Sequence, residues 1–152
     1  MEVVLGPIVA AVDGAECSGA VLALAVDLAR RHACRLTGLF VVDGGWPDFI
    51  GNDWQSAMGA RQGFLDHIHR EQEDQARAAA AQFAGATAGL ADAVFETVGG
   101  DPIEVLIARA RDTGTGLVVA SRRSFSVSGR PSLERLGQRL AAKATRPILL
   151  LP

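Results

Sequence analysis

The sequence predicts a doubly wound α/β fold, a single five-stranded parallel sheet with helices on both faces. Three observations carry this. Short runs such as Ile8 to Val12, Leu117 to Ala120 and Ile148 to Leu151 are apolar throughout, as strands covered on both sides must be. The segments between them repeat apolar residues at helical spacing. Turn and cap residues, Asp13-Gly14, Gly99-Gly100-Asp101-Pro102 and Pro147, fall at the junctions. Strict β/α alternation implies parallel strands joined by right-handed crossovers. The 152 residues fit one domain, 1–152, without an internal repeat or linker.

Taken in order, Ile8 to Val12 is the first strand and Asp13-Gly14 its turn. Ser18 is expected to cap a helix reaching about His32, with Val21, Leu24, Ala25 and Leu28 on its buried face. Arg35 to Val42 is the second strand, with Leu36, Gly38, Phe40 and Val42 on one face. Asp43 to Pro47 breaks it, and an irregular stretch to about Ala57 is expected. A long helix covers Phe64 to Phe83, although Gly59 and Gly63 leave its start open by several residues. Ala93 to Val98 is the third strand. Asp101 suits the cap and Pro102 the first position of the next helix, whose buried stripe is Ile103, Leu106, Ile107 and Ala110. Gly114 is placed to close it. Leu117 to Ala120 is the fourth strand. Ser132 caps a last helix with Leu133, Leu136, Leu140 and Ala144 on one face, and Pro147 introduces the final strand.

Composition excludes several functions. Net charge is −2, arginine dominates the 15 basic residues, and no tract is basic enough to track nucleic acid. The start, Met1-Glu2-Val3-Val4, lacks the basic residues of a secretory signal, and the apolar run to Val12 is too short to cross a bilayer. A cytoplasmic location is expected. Cys17 and Cys34 form no C-x-x-C pair or metal cluster and read as small hydrophobes of a reducing compartment. His67 and His69 point different ways on a helix, so no metal site is expected. No Ser-His-Asp pattern, nucleophile elbow or Walker loop appears, and the chain is not expected to be an enzyme.

One loop is unusual for this fold. After the fourth strand, the position where a nucleotide phosphate would meet bare backbone N–H groups, no glycine occurs from Leu117 to Ser128. A Cβ blocks the close approach of phosphate oxygens that such a cradle requires. Arginines stand there instead.

The stretch Ile8 to Ser18 continuing through Ala25, joined to Gly100 to Ile107, Leu117 to Arg122 and Arg146 to Pro152, resembles a universal stress protein domain over the whole chain. That resemblance implies the adenine nucleotide alpha hydrolase-like strand order 3-2-1-4-5, with the switch point between strands one and four. It implies a crevice lined by Asp13, Val41 or Val42 and the loop after Ala120. In ATP-binding members, an aspartate like Asp13 and the end of strand two receive adenosine, and a Gly-x-x-Gly, nine residues, then Gly-Ser/Thr receive the phosphates. Carried onto this chain, the glycines fall on Ala120, on Arg123 and near Leu133 or Glu134, and the hydroxyl residue near Glu134 or Arg135. The motif is therefore degenerate.

No cofactor is expected on this reading. The function expected is that of a non-enzymatic stress-response or signalling protein acting through dimerisation and a protein partner. The alternative is a nucleotide or anion binder, for ATP or AMP, using a remodelled loop of Arg122, Arg123, Ser128, Gly129, Arg130 and Ser132. Trp46, Phe49, Ile50 and Trp54 need something to pack on, either the crevice as a lid or the sheet edge. A homodimer is expected through Ile148, Leu149, Leu150 and Leu151, since an apolar edge strand associates unless paired or covered.

Overall fold

The computed structural model describes residues 5–54, 59–126, 129–130 and 135–152. Its strands are β1 (Ile8–Ala11), β2 (Leu36–Asp43), β3 (Ala93–Gly100), β4 (Leu117–Ser121) and β5 (Ile148–Leu151). Its helices are α1 (Glu16–His32), α2 (Trp46–Ile50), α3 (Ala60–Ala86), α4 (Pro102–Arg109) and α5 (Leu136–Lys143). All strands pair in parallel, in the order β3-β2-β1-β4-β5. The register sets Ile8 beside both Leu36 and Leu117, so the switch point lies between β1 and β4. Right-handed crossovers send α1 and α3 to one face and α4 and α5 to the other. Accordingly α1 packs on α3, and α4 on α5.

The residues of β1 and β4 are buried without exception, which explains why all but Ser121 are apolar. At mid-strand β2, Gly38 makes room for a helix. A Cβ there would stand 2.5 Å from the Phe83 ring, so glycine lets α3 seat Phe83 directly on the sheet. Phe83 in turn tilts against Phe95 of β3, with ring centroids 5.6 Å apart. The 4% exposure of Phe83 marks this contact as core.

Several sequence expectations are corrected. Ser18 does not cap α1; it lies inside the first turn, the N-cap is Ala15, and the Ser18 hydroxyl is committed to Asp13. On α1 the fully buried set includes Leu22, Val26 and Ala29, while Leu24 and Leu28 are half-buried, because α3 and the sheet together cover a wide arc of the helix. The stretch after β2 is not wholly irregular, since Trp46-Pro47 starts the short helix α2. Helix α3 is longer at both ends than expected, and β2, β3 and β4 each extend beyond their expected carboxyl ends. Gly114 does not close α4, which ends at Arg109 with Ala110 as its C-cap; Gly114 sits in a later turn and donates to the Asp112 side chain. Ser132 and Leu133 lie outside the described residues.

Gly38→Ala is expected to push Phe83 off the sheet and cost about 1–3 kcal/mol, as overpacking of a tight core does. Urea unfolding should show most of that loss recovered in the double variant Gly38→Ala/Phe83→Leu, and equal losses in both variants would contradict it.

Candidate functional site

In an open parallel sheet the carboxyl ends of the strands converge on one rim, where ligands bind at the switch point. Here four of the five strands deliver a carboxylate or hydroxyl to that rim: Asp13 after β1, Asp43 closing β2, Asp101 after β3 and Ser121 closing β4. What these groups hold is the chain itself.

Asp13 is buried, and both its oxygens are occupied. Oδ1 accepts from the Ala15 N–H at 2.9 Å and the Ser18 hydroxyl at 2.5 Å. Oδ2 accepts from the Phe125 N–H at 2.8 Å, across the switch point from the segment that follows β4. Cys17 Sγ stands 3.8–3.9 Å from the same carboxylate. Burial pushes the Cys17 thiol up, and the Asp13 charge pushes the same way; the Ser121 hydrogen bond and the Arg123 charge oppose this without reversing it. The thiol is therefore poorly nucleophilic at neutral pH.

The turn after β4 is stitched by serine hydroxyls. The Ser121 N–H donates to Ser124 Oγ at 2.9 Å, and Ser121 Oγ accepts from the Arg123 N–H at 3.0 Å while donating to the Pro152 carbonyl. Phe125 then adopts the left-handed conformation, φ 64°, and its fully buried ring meets Phe40 of β2 edge-on at 6.0 Å. Every described backbone N–H of this segment has an internal acceptor. Arg122 donates to Leu151, Ser124 to Ser121, Ser126 to Arg123 and Gly129 to Phe125. The remaining three, Arg123, Phe125 and Arg130, donate to Ser121, Asp13 and Asp43. A phosphate arriving here would find no idle backbone donor among them.

Arg130 completes the closure. Its N–H and its Nε both donate to Asp43 Oδ2, at 2.9 and 2.8 Å, and its Nη2 donates to Asp101 Oδ2 at 2.5 Å. The Asp43 side chain is 1% exposed and that of Arg130 17%. The guanidinium lies flat on Gly45, where a Cβ would come within 2.5 Å of it, so any other residue at 45 would displace it. Gln72 of α3 donates to the Asp43 carbonyl and fixes the end of β2 from the other side. The hydrogen bond to Asp43 does most to hold Arg130 protonated, against the effect of burial and with Asp101 assisting. Asp101 serves twice, because its Oδ1 also caps α4 by accepting from the N–H groups of Ile103 and Glu104. Burial, the largest influence on Asp101, pushes its carboxyl up. The Glu104 N–H, Arg130 and the Ile103 N–H together outweigh it and hold the carboxyl below the usual range.

The structure brings only part of the expected set together. Asp13, Gly129 and Arg130 share the rim with buried Ala120 and Val41 and half-buried Val42. Arg122 does not: its stem lies near Gly137 of α5, and it borders an open depression of about 710 Å³ with Arg135, Gln138, Ala141 and Leu150. Arg123 is exposed. Ser128 and Ser132 lie outside the described residues, as does Glu134. The sequence reading missed Asp43 and Phe125, and gave Asp101 only its capping role. The available signal was an aspartate at three successive strand ends, each beside glycine or proline, which calls for a cation among them. Trp46 and Trp54 pack on Phe64 of α3, and Phe49 packs on Trp46. No group of metal-ligating side chains occurs among the described residues, and none of their helices is long and apolar enough to cross a membrane.

The universal stress protein family model matches residues 5–152. The chain belongs to the universal stress protein family. Among solved structures it is similar to the universal stress protein UspA from Lactobacillus plantarum, with a TM-score of 0.70 and 18% identity over 99% of this chain and 100% of that one. It is also similar to a universal stress protein from Archaeoglobus fulgidus in complex with dAMP, at a TM-score of 0.64 and 16% identity over 99% and 100% of the two chains. A third, a universal stress protein in complex with cAMP, gives 0.58 and 18% over 99% and 98%. No curated protein matches the chain significantly.

The lowered Asp101 carboxyl fixes a sign for this universal stress protein. A folded-state pKa below the unfolded value contributes stability above the ordinary carboxylate range, and that contribution is lost as pH falls through the folded value. Asp101→Asn keeps a capping oxygen but loses the ion pair. The urea midpoint of the wild type should exceed that of the variant near neutral pH, and the gap should close as acidification below the ordinary carboxylate range protonates Asp101. A gap independent of pH would contradict the assignment.

Proposed function

We propose that this universal stress protein is a non-enzymatic stress-response or signalling protein of the cytoplasm that acts through dimerisation and partner contacts, and that it does not bind ATP in the manner of ATP-binding family members. One observation carries the reading: the described backbone donors after β4 and the Asp13 carboxylate are already engaged within the chain. Each charge-assisted backbone contact that a phosphate forgoes is worth about 1.5–3 kcal/mol, so two of them weaken affinity roughly 10²–10⁴-fold. The degenerate motif at Ala120 and Arg123 works in the same direction. Purified protein should carry no nucleotide, and calorimetric titration with ATP should give affinity weaker by that factor than a relative with all three glycines. Co-purified ATP would overturn the reading.

A second reading, AMP-type nucleotide or anion binding, draws its support from relatives solved with dAMP and cAMP. Titration with AMP and cAMP separates it from the first.

The dimer is assigned to β5, an edge strand whose Leu149 is 39% exposed while Ile148, Leu150 and Leu151 pack against the core. The other edge, β3, also shows an exposed residue, Val94, but carries Glu96, ion-paired to Arg109. Charge on an edge strand discourages pairing. Light scattering at micromolar concentration should find a dimer for the wild type and for Val94→Arg, and a soluble monomer for Leu149→Arg. A monomeric wild type would sink the assignment.

A further inference from the structure

We propose that the groove between α4 and α5 is a docking surface for a short acidic segment of a partner protein, seated by an apolar side chain and held by carboxylates. The proposal rests on the reading above, to whose partner contacts it gives a place and a chemistry.

The charges of the chain are unevenly divided. Residues 101–152 hold nine of the 15 basic residues and four of the 17 acidic ones, a net charge of +5, whereas residues 1–100 are net −7. The former build α4, β4, α5 and β5, so the face that carries α4 and α5 is the basic one and the face of α1 and α3 the acidic one. An acidic partner is therefore drawn to the first and repelled by the second.

The groove is about 560 Å³ in volume and is lined by Ile107, Ala108, Glu104, Arg111, Arg139 and Lys143. Buried Ile107 and the small side chain of Ala108 make an apolar floor, and the four charged residues stand exposed around it. Arg111 Nη1 donates to the Lys143 carbonyl at 3.0 Å, which brings both cations to the carboxyl end of the two helices. That bond engages a single donor of the guanidinium fork. One turn into α5, Arg139 pairs with Glu104, but these side chains are 45% and 56% exposed. Water already screens the pair, and a second carboxylate can share the guanidinium.

The dimensions select the occupant. Helices α4 and α5 have eight residues each, a length of about 12 Å, which about four extended residues span. A peptide of that length can set carboxylates on the cations at both ends while an aliphatic side chain rests on Ile107 and Ala108. A nucleic acid fits worse, because its phosphates gain nothing from an apolar floor and three cations are a short track for a polyanion.

The test is a fluorescence-anisotropy titration, at about 50 mM salt, with the rhodamine-labelled peptide acetyl-Asp-Glu-Leu-Glu-Asp-amide. The controls are the same peptide with Asn and Gln for its acids, and with Ser for its Leu. The wild type should bind the acidic peptide at least about fivefold more tightly than either control, and Lys143→Glu should weaken binding at least about fivefold. Glu104→Gln frees Arg139 and should strengthen binding about two- to fivefold, a gain that unfolding cannot produce. Arg70→Glu makes the same charge change at an exposed site on α3, across the sheet, and should alter affinity by less than about twofold. No binding of the acidic peptide, equal binding of either control, a Glu104→Gln variant that binds no better, or equal losses in Lys143→Glu and Arg70→Glu would overturn the proposal. So would decathymidylate bound more tightly than the peptide, which marks a nucleic-acid surface. Salt-sensitive self-association abolished by Lys143→Glu would also overturn it, by putting the acidic face of a second copy in the groove. ATP carried by the wild type would instead sink the reading under Proposed function and leave these titrations as they stand.

Discussion

A carboxylate shielded from water has to be given a cation, and Asp43 is shielded almost completely. Its partner comes 87 residues later in the chain, and the demand shapes everything between. To reach Asp43, the chain leaving β4 must cross the carboxyl ends of β1 and β2. Asp13 holds it on the way, and Gly45 clears the landing. Since Asp101 shares the guanidinium and also caps α4, the start of a helix on the opposite face is tied to the same contact. Arg130 thus joins the segment after β4 to the ends of β2 and β3.

The fold was legible because its signals are local. The apolar runs of β1 and β4, the Asp101-Pro102 helix start and the 3.6-residue stripes of α4 each depend on neighbours in sequence. Errors arose where another residue claimed a side chain. Ser18 has every property of a cap, but Asp13 takes its hydroxyl, so the helix starts at Glu16 with no side-chain cap. Trp46 and Trp54 lie among turn residues, yet Phe64 gives them a surface, and Trp46-Pro47 starts a helix there.

The rim was legible only by halves. The missing glycines after β4 were legible, because a cradle's requirement for bare backbone is itself local. The contacts that the loop makes instead were not visible. Phe125 carries no mark of a left-handed residue, and Arg130 is one arginine among many. Pairing Arg130 with Asp43 requires knowing that β2 and the segment after β4 end side by side. That fact belongs to the sheet order, not to either segment.

Strand β5 has prolines at both ends, and Pro147 turns only its carbonyl inward, accepting from Val118. Lacking an N–H, a proline cannot extend a ladder outward. An added strand therefore meets about four residues of hydrogen-bonding edge and then a blank at each end. Such an edge lets two copies meet but gives a growing stack of strands no continuous template. In a chain whose last strand reads Ile-Leu-Leu-Leu, the flanking prolines limit the apolar edge that a further strand could extend.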